Sequence, residues 1–479
     1  MAEAPDPRRW KALGLICTAV FMTVLDIAIV NVALPSIGTD LHFAADSLQW
    51  VITAYAITFG GFLLLGGRAA DLLGRRIVFM VGLAIFTGAS LACGLATSET
   101  FLIVSRGVQG FGAAVVTPAA LSIVSTTFEE GAERNKALGI WGAVAGSGAA
   151  VGVLLGGVLT EYLGWEWIFY VNVPVGAACL ALCPFLVHES RLETDRRRYD
   201  VAGAITITSS LILLVFAVSK APDVGWGSAR TIGLLVGSAL LAVTFLAIES
   251  RTEQPLMPLS IFRVRVLAGA NTVGFLLGGA IFGSFFVLTQ YMQLILGYSA
   301  LKTGVAFLAT AGTSVIAAGI AQALVTRVGV RRILAIGMAL IAVGQILYTR
   351  FPTDGSYWTD LFPGFVATGV GIAFAFVPVS IAALAGVKAD QAGLASGLIN
   401  TSQQIGGAIG TAVISSVAIT SLSFQQHLTP AQASTVVGEY SRGFWVGFAF
   451  AVAGVVATLL MIREKDVTVE QFEEARAPA

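Results

Sequence analysis

Long apolar runs alternate with short polar or charged breaks along the whole of this chain. Each run is close to the roughly 20 residues that a helix needs to cross a bilayer. Fourteen can be marked, near 12–37, 48–67, 77–97, 101–124, 136–160, 167–187, 201–219, 230–249, 266–294, 302–325, 332–350, 359–385, 392–420 and 443–462. Two breaks stand out, HESRLETDRRRYD (His188 to Asp200) after the sixth run and ESRTEQPLMPLSIFRVR (Glu249 to Arg265) after the eighth. The pattern predicts an all-α integral membrane protein of 14 transmembrane helices. Two pseudo-symmetric six-helix bundles (1–188 and 258–466) would flank a two-helix linker (189–257), with a tail at 467–479.

Charge placement fixes the expected orientation. With the N-terminus in the cytoplasm, the inner segments hold 22 of the 28 Lys and Arg, the outer segments hold five, and Arg106 falls inside a span. One missed helix would reverse every later loop, so this split supports both the span count and cytoplasmic termini under the positive-inside rule. The N-terminal run, preceded by Arg8, Arg9 and Lys11, reads as a retained first span because no cleavage site and polar mature chain follow it. Alanine, glycine and valine usage suits a GC-rich bacterium, and hence the cell inner (cytoplasmic) membrane.

Composition narrows the function. The chain is 56% hydrophobic and 12% charged, with mean hydropathy +0.84 and zero net charge, so no nucleic-acid partner is expected. The longest outer segment, around Ser421 to Arg442, carries no catalytic grouping, and no phosphate loop of the form GxxxxGK plus Ser or Thr occurs. GSGAAVG (Gly146 to Gly152) superficially matches a dinucleotide fingerprint but lies in an apolar run with no preceding strand. Cys17, Cys93, Cys179 and Cys183 sit in apolar runs, and His42, His188 and His427 are scattered, so neither a disulfide nor a metal site is expected. A membrane enzyme would need acids or histidines clustered at one face; a channel would need a ring of like charges. Neither is present in the sequence.

Against this background a few residues carry chemistry. Asp26, within VLDIAIVNVALP, lies roughly 16 Å in from the outer end of its span. A charge at that depth costs about 2.5–3.5 kcal/mol on insertion scales. Burial favours the neutral form of a carboxyl and a nearby cation the ionised form, so such a group can gain and lose a proton, pair with a cationic substrate, or clamp helices structurally. Arg106 is the one deeply placed base, about 8 Å below the outer edge and shallower than Asp26. The two can pair only if both side chains reach toward each other; a snorkelling arginine is the alternative. Gln109 lies on the same helical face. Asn31, Asn271, Gln290, Gln293, Asn400, Gln403 and Gln404 add uncharged polar groups that could line a cavity or bond helix to helix. Gly148, Gly152 and Gly156 recur every fourth residue beside Gly142, Gly146 and Gly157, leaving a groove for a close helix. A weak internal repeat aligns GRAADLLGRR (Gly67 to Arg76) with TRVGVRR (Thr326 to Arg332) on Gly74 and Gly329, with Thr326 where the first copy has Asp71.

Five stretches together resemble the major facilitator superfamily, and within it the fourteen-span drug:proton antiporter branch. LDIAIVNVALP resembles that branch's first-span signature, and GRAADLLGRR the superfamily's loop between spans two and three. LIVSRGVQGFGAA is similar to the fourth-span arginine motif. GAVAGSGAAVGVLLGGVL with WEWIFYVNVP resembles the antiporter motif and the turn after it, and GLASGLINTSQQIGGAIG the penultimate span. The chain departs from the pattern at Val153, where proline is usual, at Glu166, where arginine is usual, and at Ala28, where threonine is common. The resemblance implies a proton-coupled exporter of hydrophobic small molecules, cationic ones included, working as a monomer by alternating access, with protons as coupling ion and no other cofactor. It implies proton coupling at Asp26 and Arg106, a conformational gate at Gly67, Asp71, Gly74, Arg75 and Arg76, and a glycine-rich seal between the halves. A nutrient importer or facilitator is the rival reading on the same fold.

Overall fold

The structure, a computed structural model, describes residues 8–43, 47–128, 132–190, 200–252, 255, 259, 264–385, 392–418 and 428–463. The first group of helices comprises α1 (Arg9–Asp40), α2 (Trp50–Leu73), α3 (Arg75–Gly94), α4 (Glu99–Thr127), α5 (Ala132–Tyr162), the short α6 (Trp167–Tyr170) and α7 (Asn172–Leu186). Two central helices follow, α8 (Val201–Val224) and α9 (Ala229–Arg251). The second group comprises α10 (Arg265–Gln290), α11 (Ala300–Val328), α12 (Val330–Tyr348), α13 (Phe362–Leu384), α14 (Ala392–Ala418) and α15 (Pro430–Met461). Single π-helical turns extend α10 (Tyr291–Ile295) and precede α13 (Tyr357–Leu361).

Among the described residues ten helices are long and apolar enough to cross a membrane, which makes this a multi-pass membrane protein. Shorter apolar stretches lie in α2, α5 and α8. The polar, glycine-rich α14 is sheltered between α10, α2 and α15. The largest departure from the expected spans is at α15. The segment read as an outer loop to Arg442 is already helical from Pro430, because Thr429 and Gln432 form a reciprocal capping box with proline in the first turn. The tail at 467–479 and the break at 191–199 lie outside the described residues.

The internal repeat is physical. Gly74 alone joins α2 to α3, and Gly329 alone joins α11 to α12, with φ of +114° and +97° that a side chain would strain. Packing repeats as well: α1 on α5 matches α10 on α14, α2 and α3 on α4 match α11 and α12 on α13, and α3 on α7 matches α12 on α15. Across the groups, α5 meets α11 and α2 meets α14.

The apolar core is divided unevenly along the helices. Toward the end bearing Phe43 and Phe351, Leu25 to Ile37 of α1 share one cluster with Phe286, Tyr291, Phe307 and Phe444. Toward the end bearing Gly74 and Gly329 there are two clusters, one built on Ala12 to Met22 and Phe79, the other on Val266, Leu334 and Ile462. The two groups are therefore joined at one end and separately packed at the other. A fourth cluster places Leu211, Val215 and Val218 of α8 on Ala56 and Ile57 of α2 and on Ala408 and Ala412 of α14. α9 is held to α8 by Ser210 and Ser238, whose hydroxyls each donate to the other's carbonyl at 2.8 and 2.9 Å.

Candidate functional site

Asp26 and Arg106 meet. Arg106 Nη1 lies 2.5 Å from Asp26 Oδ2, and both side chains are fully enclosed, 1% and 0% exposed. The guanidinium spans the depth difference read from the sequence, its head group reaching Asp26 on α1 and Val51 on α2. Its Nε donates to the Val51 carbonyl (2.9 Å) and Nη1 also to Gln109 Oε1 (2.6 Å). Two rings complete its surroundings, Tyr55 with its centroid 4.4 Å from the guanidinium carbon and Phe169 at 5.6 Å. Such cation–ring contacts are strongest where water is absent.

The carboxylate is saturated with donors. Oδ2 accepts from Arg106; Oδ1 accepts from Gln109 Nε2 (2.8 Å) and Asn172 Nδ2 (3.0 Å). Both amides also donate to Ser90 Oγ, at 3.1 and 3.0 Å, and Ser90 donates to the Phe169 carbonyl (2.9 Å). Cys93 Sγ completes the set 3.6 Å from Gln109 Oε1. Six elements thus converge on one point: α1, α2, α3, α4, α6 and α7. Removing one partner from such a pair strands the other charge, at a cost of about 3–5 kcal/mol.

The sequence around Asp26 explains its direction. α5 lays Gly148, Gly152 and Gly156 along α1, so close that a Cβ at Gly152 would lie 2.8 Å from the Leu25 carbonyl and one at Gly156 2.7 Å from that of Ile29. With Leu25 and Ile29 toward α5, Asp26, about 100° further round, turns into the interior of the first group and not toward the second. The turn through α6 fixes the start of α7: Trp165 Nε1 donates to Asp40 (2.9 Å) and the Tyr170 hydroxyl to the Gly94 carbonyl (2.6 Å), and Asn172 Nδ2 then meets Ser90.

The glycine ridge therefore differs from the expected seal between halves. Gly148, Gly152 and Gly156 pack within the first group; Gly157 faces the other, 2.8 Å from the Ala300 carbonyl if it carried a Cβ, opposite Gly304, whose Cβ would lie 2.7 Å from the Val153 carbonyl. α5 runs unbroken through Val153. Gly142 and Gly146 lie outside the residues whose packing is described.

At the loop motif, the acid on the start of α3 is Glu189. Its carboxylate accepts from the backbone N–H groups of Arg76 and Ile77, both at 3.1 Å, and Arg76 Nε lies 3.8 Å away. Arg75 is bound to Ser190 through its backbone N–H (2.9 Å) and guanidinium (3.3 Å). Gly67 packs against Pro118. The side chain of Asp71, expected to face this helix start, lies outside those described.

The uncharged polar residues divide. Asn31 Nδ2 donates to its own helix at Ile27 (2.9 Å); Asn271 bonds Leu267 and accepts from Ser402, tying α10 to α14. Gln293 reaches across to the Val32 carbonyl (2.8 Å), and Ser415 donates to Gln49, so both latch the two groups at their joined end. Gln290 Nε2, Gln403 Nε2 and Gln404 Oε1 are buried without a hydrogen-bond partner among the described residues, and Asn400 is half-buried. Sequence reasoning missed Ser90, Asn172, Cys93, Tyr55 and Glu189. Asn172 lies within the quoted WEWIFYVNVP, where a lone amide entering an apolar run was the available signal.

Residues 16–411 match the family described as Major Facilitator Superfamily. The puromycin resistance protein pur8 of Streptomyces alboniger is 41% identical over 465 residues, 96% of this chain and 92% of that one. The cephamycin export protein CmcT of Amycolatopsis lactamdurans is 39% identical, covering 94% of this chain and 92% of its own. Among solved structures, a bacterial homolog of the human lysosomal transporter Spinster, inward-facing and unoccupied, aligns with a TM-score of 0.66 at 16% identity over 99% of this chain and all of that one. The POT family transporter PepTSo gives 0.67 at 12% identity, over 94% and 97%. These last two are similar in fold alone.

Proposed function

The chain belongs to the Major Facilitator Superfamily, and on that footing we propose that it exports hydrophobic small molecules in exchange for protons. It is a membrane transporter rather than an enzyme. The observation that carries the proposal is the enclosed Asp26–Arg106 pair, a carboxylate and a guanidinium in the apolar interior. Export as the direction rests on relatives named for antibiotic resistance and export. An importer on the same fold could use the same pair.

The reading extends to the whole molecule. Fourteen spans are supported by the segments that α1–α5, α6 with α7, and α8–α15 occupy. Two six-helix bundles, 1–188 and 258–466, would rock about the α8–α9 linker at 189–257. With the basic loops in the cytoplasm of a cell whose inner membrane holds the protein, the joined end is outside and the separately packed end inside, a form that would load substrate from the cell. Asp26 faces the interior of its own bundle, so its part is proton exchange, and the substrate is met by other groups, the amides of Gln290, Gln403 and Gln404 among them. The chain would work as a monomer.

The test is efflux of puromycin and of a fluorescent lipophilic dye from cells making the wild-type chain or Asp26→Asn at equal membrane abundance, with and without an uncoupler. Uncoupler-sensitive efflux that disappears in the variant is expected. Unchanged efflux in Asp26→Asn would remove the carboxylate from the coupling step.

A further inference from the structure

We propose that Asn172 is the positioning residue that lets Asp26 change protonation inside its closed site, by turning its amide end for end. The inference rests on the proton-coupled reading above and deepens it.

The chemistry follows from counting donors and acceptors. An ionised carboxylate only accepts, and all three of its partners here donate: Arg106 Nη1, Gln109 Nε2 and Asn172 Nδ2. Once Asp26 takes a proton from water, its new O–H needs an acceptor, and an arginine offers none. Of these three partners, the two amides carry an oxygen that a rotation can bring to the carboxyl. Gln109 is held at both ends, Nε2 by Asp26 and Ser90 and Oε1 by Arg106 and Cys93, so turning it would aim N–H at the guanidinium's N–H. Asn172 is held at one end. Its Nδ2 bonds Asp26 and Ser90, and its Oδ1 takes no hydrogen bond among the described residues.

A half-turn about its last side-chain torsion presents Oδ1 to the acid's O–H. Ser90 can then swing its own O–H from the Phe169 carbonyl to the same oxygen while still accepting from Gln109. Arg106 keeps its proton, its bonds to Val51 and Gln109, and the Tyr55 and Phe169 rings. When the proton leaves to water the amide turns back. Among the described residues the other titratable groups at this point are Cys93 from α3 and Tyr55 from α2; α7 contributes Asn172 here, its Cys179 and Cys183 lying two and three turns further along the helix.

Two measurements on the purified full chain test this. In pH-difference infrared spectra with isotope-labelled asparagine, the carboxylic-acid band lost in Asp26→Asn should rise together with a shift of the amide band lost in Asn172→Leu. An acid band that titrates while the Asn172 band stays fixed overturns the proposal. In proteoliposomes with radiolabelled puromycin, Asn172→Leu should lower pH-gradient-driven efflux about tenfold, the cost of one hydrogen bond missing from the protonated state. Exchange of puromycin without net proton movement should persist, and Asn172→Ser, whose hydroxyl both donates and accepts, should recover most of the loss. Equal losses in the two variants, or exchange falling in parallel with efflux, argue for a structural asparagine and overturn it. If the wild type moves no puromycin down a pH gradient, the transport reading fails, while the infrared titration still decides the role of Asn172.

Discussion

The two groups of helices repeat one another, yet their interiors differ in kind. In the first, α1, α3, α4 and α7 close around an ion pair and two amides. In the second, the corresponding α10 and α12 bring together Ser284 and Gln345: Ser284 donates to Gln345 Oε1 at 3.0 Å, and Gln345 Nε2 donates to the Ala280 carbonyl at 3.1 Å. Where α7 supplies Asn172, α15 supplies Gly447, so near that a Cβ would lie 2.6 Å from Gln345 Oε1. Both clusters are buried, and of the two only the first is built on an ion pair. The same scaffold thus holds a neutral polar knot on one side and an ion pair on the other.

That contrast can be broken most severely at Arg106. Arg106→Leu leaves Asp26 enclosed and unpaired, and should cost about 3–5 kcal/mol, seen as a large drop in the unfolding temperature of the purified protein. An unfolding temperature unchanged across pH would show that the carboxylate does not need its partner. In the second group, Gln345→Leu removes two buried hydrogen bonds while Ser284 keeps its own to the Ala280 carbonyl (2.7 Å), and should cost roughly 1–3 kcal/mol, with the pH profile of transport left where it was. A moved profile would put part of the proton response in the neutral knot.

Smaller effects sharpen the comparison of packing. Gly156→Ala must push α1 away at the Ile29 carbonyl and should cost about 1–3 kcal/mol, whereas Gly88→Ala, with open space at its Cβ position, should be neutral in the same melting assay. The smallest expected change is Glu189→Gln. It weakens the charge that faces the start of α3 by about 0.3–1 kcal/mol, readable as faster amide exchange at Arg76 and Ile77 with little loss of transport.

How much of this was legible in the chain depends on contrast. Asp26 and Arg106 stand out because each is a charge in an apolar run, and Gln109 follows from helical spacing. Ser90, Asn172 and Cys93 do not stand out, since small polar side chains are common in apolar helices and only the fold shows which of them converge. The Val51 carbonyl, which holds Arg106, has no sequence signature. Depth estimates placed Arg106 too shallow for an assured contact because they locate Cα atoms, and an arginine reaches well beyond its own. Glycine spacing showed that α5 would pack closely; it could not show that the partner is α1 at Asp26 rather than the opposite bundle. Likewise the basic loop motif was visible, but Glu189 arrives at α3 from a break more than a hundred residues later in the chain.

The closed pair also has an electrical consequence. With Asp26 ionised, the carboxylate cancels the guanidinium and the site carries no net charge. With Asp26 neutral, the charge of Arg106 is left uncompensated within the low-dielectric interior, facing two aromatic rings and a carbonyl. A membrane voltage acts on such a charge with about 2.3 kcal/mol per 100 mV for a full crossing, and with a fraction of that for a partial displacement. Loading the proton would therefore make the first group of helices a voltage-bearing element, drawn toward the negative side of the membrane, while the uncharged Ser284–Gln345 cluster of the second group gives no such handle.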